Sequence, residues 1–247
     1  MRHVCEEMNV RLIAPDRPGF GLSDFQRGRT IPGFASDVSQ LARELNLKSF
    51  AVFGISGGGP YAAACAAKIP EQITAALLVC SVAPADSPEA TKGMVAVNRW
   101  LLSMARYFPR VAQCVAGVCF KVIWRKGEQA IPKQIEKRLC PADQQALTSQ
   151  ELRQSLTQSS VEALRNGVDG AVAEGLLYGK PWGFSLQEIR IPVFLWHGEK
   201  DVVVPATMGH YLATVIPNCQ SLFYPEDGHF SLPFTRLREI LGKVPGR

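Results

Sequence analysis

Gly54-Ile55-Ser56-Gly57-Gly58 sets a serine between glycines at the spacing G-x-S-x-G. A hydroxyl held on so sharp a turn stands clear of its neighbours, because glycines let backbone approach where side chains could not. Ser56 is therefore the candidate nucleophile. The next residue, Gly57, carries an N–H at the start of the following helical segment, placed to donate to a developing oxyanion with help from the helix dipole. A phosphate-binding loop is the competing reading of these glycines. Gly54, Gly57 and Gly59 do not fit G-x-G-x-x-G, however, and no Lys follows as in a nucleotide-binding P-loop.

A serine hydroxyl is a weak nucleophile at neutral pH and needs a base within hydrogen-bond reach. The chain offers four histidines. His229 follows Gly228 just past the last apolar run, Ser221 to Tyr224, on a loop where open α/β sheets gather their sites. His3 precedes the first such run, and His210 sits in a helical pattern. His197 is the rival, but it closes the run Val193 to Trp196 and reads as a hydrogen-bonded strand-end residue. An acid that orients the base is expected past the strand between nucleophile and base, which selects Asp201, 28 residues before His229. Glu199 and Asp227 compete for that role. Asp227 lies only two residues from His229, where a carboxylate more often caps a turn. Such chemistry requires no metal or organic cofactor.

Groups so far apart in sequence must be brought together by a scaffold, and the apolar pattern supplies one. Val10–Ala14, Phe50–Phe53, Ala75–Cys80, Val193–Trp196 and Ser221–Tyr224 are short runs bounded by turn residues, five expected strands in all. They alternate with helical patterns, which implies an α/β fold with a mainly parallel, doubly wound sheet. Phe34, Val38, Leu41 and Leu45 form one stripe of a crossover helix, with Ser36 as its expected cap. Pro60 opens an Ala-rich helix that runs to Lys68. From 83 to 190 the strand rhythm stops and helical spacing takes over, broken by Pro109, Pro132, Pro141 and Pro181. The expected organisation is a core of residues 1–82 and 191–247 with a helical lid, 83–190, inserted in it. Trp100, Met104, Phe120 and Trp124 in that lid are candidate walls of an apolar substrate pocket, with packing within the lid as the plainer reading.

Composition narrows the function classes. A net charge of +5, without interleaved basic and aromatic clusters, gives no surface for nucleic acid. Residues 92–138 hold ten Lys/Arg against two Glu, a local +8 that could meet anionic substrates or a membrane surface, although such charges more often form a solvated face. The same stretch is too interrupted by charge to span a bilayer. Seven cysteines, without CxxC pairs or nearby His, point away from a disulfide framework or a zinc site and toward buried thiols in a reducing, cytoplasmic setting.

The run from Ala14 to Asp24 (Ala14-Pro15-Asp16-Arg17-Pro18-Gly19-Phe20-Gly21-Leu22-Ser23-Asp24), together with Gly54–Gly59, Gly198–Pro205 and Gly228-His229-Phe230, resembles the α/β-hydrolase superfamily over nearly the whole chain. The resemblance implies acyl-enzyme chemistry on a small ester-like substrate at Ser56, His229 and Asp201, and a structural turn at Asp16–Asp24. It also implies three earlier strands and a His-Gly loop with a second oxyanion donor, so the chain resembles a member without its amino-terminal portion. Absence of one such donor typically lowers turnover by roughly a hundred- to a thousandfold. A binding protein that keeps these residues without turnover, and a lyase or C–C bond hydrolase using the same residues, are the alternative readings.

Overall fold

The computed structural model describes residues 1–92, 107–108, 110–111, 114–115, 117–118, 131 and 136–245. Four of the expected strands form: β1 (Phe50–Ile55), β2 (Ile73–Val79), β3 (Val193–Gly198) and β4 (Cys219–Tyr224). They lie in the order β1-β2-β3-β4 and every pairing is parallel. Parallel neighbours require crossover connections, so all four carboxyl ends emerge at one rim.

β2 is apolar from Ala75 to Val79 because both of its faces are covered there. Ala76 and Leu78 pack with Tyr61, Ala64, Leu195 and Leu212 on one side. Ala75, Leu77 and Val79 meet Trp196, Leu232 and Ile240 on the other. This is the doubly wound arrangement, and it explains why no polar alternation marks that strand.

The helices follow from local chemistry. α1 (Arg2–Glu7) buries Cys5 against Leu237 and Leu241, tying the beginning of the chain to its end. α2 (Gly33–Glu44) stops at Asn46, which takes a left-handed φ of 56° while the Leu47 N–H donates to the Ala42 carbonyl. Ser36 lies inside α2 and does not cap it. Pro32 and the Thr30 hydroxyl, which accepts from the Gly33 N–H at 3.0 Å, start the helix earlier. α3 (Gly59–Lys68) is rich in Ala, and its small side chains let it sit close against β1 and β2 with Ala63, Ala64 and Ala66 fully buried.

Helical spacing in the 83–190 stretch is realised, among the described residues, in α4 (Pro141–Ala146), α5 (Gln150–Ala163) and α6 (Asp169–Tyr178). α7 (Ala206–Val215) then joins β3 to β4, and α8 (Ser231–Thr235) and α9 (Leu237–Leu241) follow. No helix among the described residues is long and apolar enough to cross a membrane.

The fifth expected strand does not form. Residues 10–14 take no regular structure, and Leu12 and Ile13 are exposed. An apolar run supplies propensity, but a strand exists only through backbone bonds to a neighbour, and none of the four strands pairs with this segment.

Candidate active site

Ser56 follows β1 directly and opens a single 3₁₀ turn, Ser56–Gly58, before α3. Its φ of 53° is left-handed, a conformation that costs a residue with a Cβ on the order of 1 kcal/mol or more and persists only where the surroundings impose it. Packing explains the glycines around it. A Cβ on Gly54 would meet the Gly58 carbonyl oxygen at 2.5 Å, and one on Gly59 would meet Ser81 Oγ at 1.8 Å. Gly58 has open space, so its part in the motif is not steric.

Asp201 lies three residues beyond β3 and is buried. Its Oδ1 accepts from the Val203 and Val204 N–H groups, both at 2.8 Å, which aims Oδ2 at the next loop. There, five residues beyond β4, His229 Nδ1 stands 2.7 Å from Asp201 Oδ2. Because β1 to β4 are consecutive and parallel, Ser56 and this pair share one rim of the sheet.

The competing residues are otherwise engaged. His197 is fully buried, its Nε2 is 2.9 Å from the Val204 carbonyl and 3.7 Å from Asp201 Oδ2, and burial holds its pKa below the usual value. Asp227 pairs with Arg236 at 3.4 Å, and Glu199 with His210 at 3.0 Å. Trp100, Met104, Phe120 and Trp124 lie outside the described residues.

Two groups at this rim went unread in the sequence. Asp143, on α4, is fully buried and collects four donors: the His229 N–H at 2.9 Å on Oδ2, and the Phe230 N–H, Ser231 N–H and Ser231 hydroxyl on Oδ1 at 3.0, 2.8 and 2.8 Å. Nothing in the local pattern flags it, since 86 residues separate it from His229. Cys80 did carry a signal, for it closes the apolar run Ala75–Cys80; in the structure it follows β2 as Ser56 follows β1, with a left-handed φ of 46°. Burial first, and then the nearby Asp201 carboxylate, push its thiol well above the usual pKa.

Behind the Ser56 turn lies a buried polar cluster. Glu174 on α6 pairs with Arg17 at 2.9 Å and with Arg29 at 2.6 Å, and accepts from the Tyr61 hydroxyl at 2.8 Å. Tyr178 sits between Glu174 and the Gly57 carbonyl, 2.7 Å from the latter, and has one proton for the two acceptors. A Cβ on Gly57 would meet that tyrosine oxygen at 2.2 Å. Arg17 also lies over the Phe20 and Tyr61 rings. A polar cleft of 120 Å³ lined by Pro18, Gln26, Arg29, Thr30 and Asp37, among others, includes none of Ser56, Asp201 or His229.

Residues 9–234 match the family model of the alpha/beta hydrolase fold. Among solved structures, the chain is similar to a thermophilic esterase from Thermogutta terrifontis, with a TM-score of 0.64 at 23% identity over 98% of this chain and 81% of that one. It is also similar to the esterase RhEst1 from Rhodococcus sp. ECU1013, with a TM-score of 0.65 at 20% identity over 97% of this chain and 82% of that one. A bromoperoxidase from Bacillus anthracis gives a TM-score of 0.64 at 21% identity over 97% and 83%. At such identities the likeness is one of fold.

Proposed function

We propose, from the premise that the chain belongs to the alpha/beta hydrolase fold family, that it hydrolyses an ester-like acyl substrate with Ser56 as nucleophile, His229 as base and Asp201 as the acid that orients the base. The observation that carries this reading is the 2.7 Å bond from His229 Nδ1 to a buried Asp201 whose other oxygen is fixed by two amides. With its Nδ1 proton donated to Asp201, the neutral imidazole presents Nε2 as an acceptor. Nε2 takes the Ser56 proton as Oγ attacks the carbonyl carbon, and the C=O electron pair becomes an oxyanion beside the Gly57 N–H. The tetrahedral species collapses, the leaving oxygen takes the proton from His229, and water repeats the sequence to free the acid.

In this reading residues 1–82 and 191–247 form the catalytic core and residues 83–190 the lid. The link from Asp143 on α4 to the His229 loop supports a lid that helps to hold the base. A fluorophosphonate probe should label the folded protein at Ser56, and short acyl esters of p-nitrophenol should be turned over. Ser56→Ala should abolish both. Folded wild-type protein that takes up no probe would count against the assignment.

A further inference from the structure

Three strand ends at the rim each contribute one metal-ligating side chain. Cys80 Sγ, a carboxylate oxygen of Asp201 and a ring nitrogen of His229 all lie within 4.8 Å of one another, and all three residues are buried. A thiol, a carboxylate and an imidazole are the donors that zinc-class cations take, with a fourth position left for water. In a tetrahedral site with metal–ligand bonds of about 2.0–2.3 Å, neighbouring donor atoms stand roughly 3.3–3.6 Å apart. Side-chain shifts of order 1 Å would part His229 Nδ1 from Asp201 Oδ2, now 2.7 Å apart, and bring the three donors to that spacing around an ion.

Charge favours the same ion. One thiolate and one carboxylate neutralise a dication, so the filled site carries no net charge into the protein interior, where an unbalanced ion is costly. Both anchors are held in place. Asp201 Oδ1 is fixed by the Val203 and Val204 amides. The Cys80 thiol is directed at the His229 loop, 3.8 Å from the Gly228 carbonyl.

We propose that Cys80, Asp201 and His229 form an inhibitory site for a zinc-class divalent cation; its inhibitory role, though not the binding itself, rests on the function proposed above. Binding forms metal–sulfur, metal–oxygen and metal–nitrogen bonds. The Cys80 proton leaves to solvent, and the His229 proton moves from Nδ1, now a ligand, to Nε2. An imidazole protonated at Nε2 has no lone pair there for the Ser56 proton, so the nucleophile loses its base. No oxidation state changes.

The test uses the intact chain, stripped with chelator and titrated with Cd²⁺ or Zn²⁺. Cd²⁺ should produce a thiolate-to-metal charge-transfer band that saturates at one ion per chain and releases one proton per ion. Cys80→Ala and Cys80→Ser should lose that band while Cys114→Ser, at an exposed thiol, keeps it. Zn²⁺ should suppress ester turnover and probe labelling, and both Cys80 variants should need a concentration higher by at least about tenfold, the lower end of what removing even an outer-shell partner costs a metal site. Either variant alone suffices if the other fails to fold. A folded wild type without the band, an undiminished band in a Cys80 variant, or full turnover with the band saturated would each overturn the proposal. A Cys80-dependent band in a protein that never turns over ester would leave the metal site standing and remove the hydrolase reading instead.

Discussion

Replacing Asp143 tests whether α4 positions the imidazole that we propose as the base. The carboxylate is fully buried and accepts three successive amides, His229 to Ser231, plus the Ser231 hydroxyl. Asp143→Asn keeps one oxygen, enough for the three donors that now share Oδ1, but turns an NH₂ group toward the His229 N–H. One charge-assisted bond, typically about 1.5–3 kcal/mol, is lost, and a buried donor is left facing another donor at a further ~1 kcal/mol. The sum is about 2.5–4 kcal/mol, a large share of the roughly 5–15 kcal/mol typical of a domain. Asp143→Ala strands all four donors and is expected to abolish folding at ordinary temperature. The amide that moves belongs to His229 itself. A displacement of about 1 Å at a reacting group can cost on the order of a hundredfold in rate, so Asp143→Asn should lower kcat with KM little changed. Urea denaturation gives the stability term and initial rates on a p-nitrophenyl ester give the other. An Asn variant within about 0.5 kcal/mol of wild type, with turnover intact, would refute the reasoning.

Gly59→Ala should destabilise by about 1–3 kcal/mol, because even with the Ser81 hydroxyl turned away its Cβ would fall 2.5 Å from Ser81 Cβ, whereas Gly58→Ala should change stability by less than about 1 kcal/mol; thermal melts of the two variants decide the matter. Tyr178→Phe should cost about 1–2 kcal/mol through the lost hydroxyl contacts to the Gly57 carbonyl and Glu174, read by the same melts. Burial lowers the His197 pKa, so below the unfolded value of about 6.5 the unfolded chain takes up the proton first and stability falls with pH, by at most about 1.4 kcal/mol per unit. Melting temperatures between pH 7.5 and 5.5 (chosen to bracket roughly that value) should show this slope, and His197→Gln should reduce it.

Much of the fold was legible because its signals are local. The runs Phe50–Phe53 and Val193–Trp196 sit within β1 and β3, and the stripe Phe34–Leu45 nearly coincides with α2. The pairing of His229 with Asp201 followed from one topological rule, that loops past parallel strands meet at one rim. Where a feature depends on a distant partner, the pattern misled or was silent. Val10–Ala14 has strand composition but no pairing neighbour in the sheet, and Asp143 owes its importance to a loop 86 residues away. Cys80 was visible as a buried thiol in an apolar run. Its companions were not, because ligand spacing along the chain says nothing about three separate strand ends.

The ion pair between Arg29 and Glu174 sets a timetable for the nascent chain. Arg29 gains its carboxylate 145 residues later, Asn166 reaches back by the same interval to the Gly21 carbonyl, and the Gly21 N–H waits for Ala163. At translation speeds of about 5–20 residues per second, that interval is roughly 7–30 s. Throughout it Arg17 and Arg29 have their aromatic partners Phe20 and Tyr61 but lack the Glu174 carboxylate, so two positive charges stay uncompensated and the segment is held by fewer contacts than in the finished fold. Synonymous codons that slow the ribosome between these positions should therefore lower the yield of folded protein without altering a single side chain.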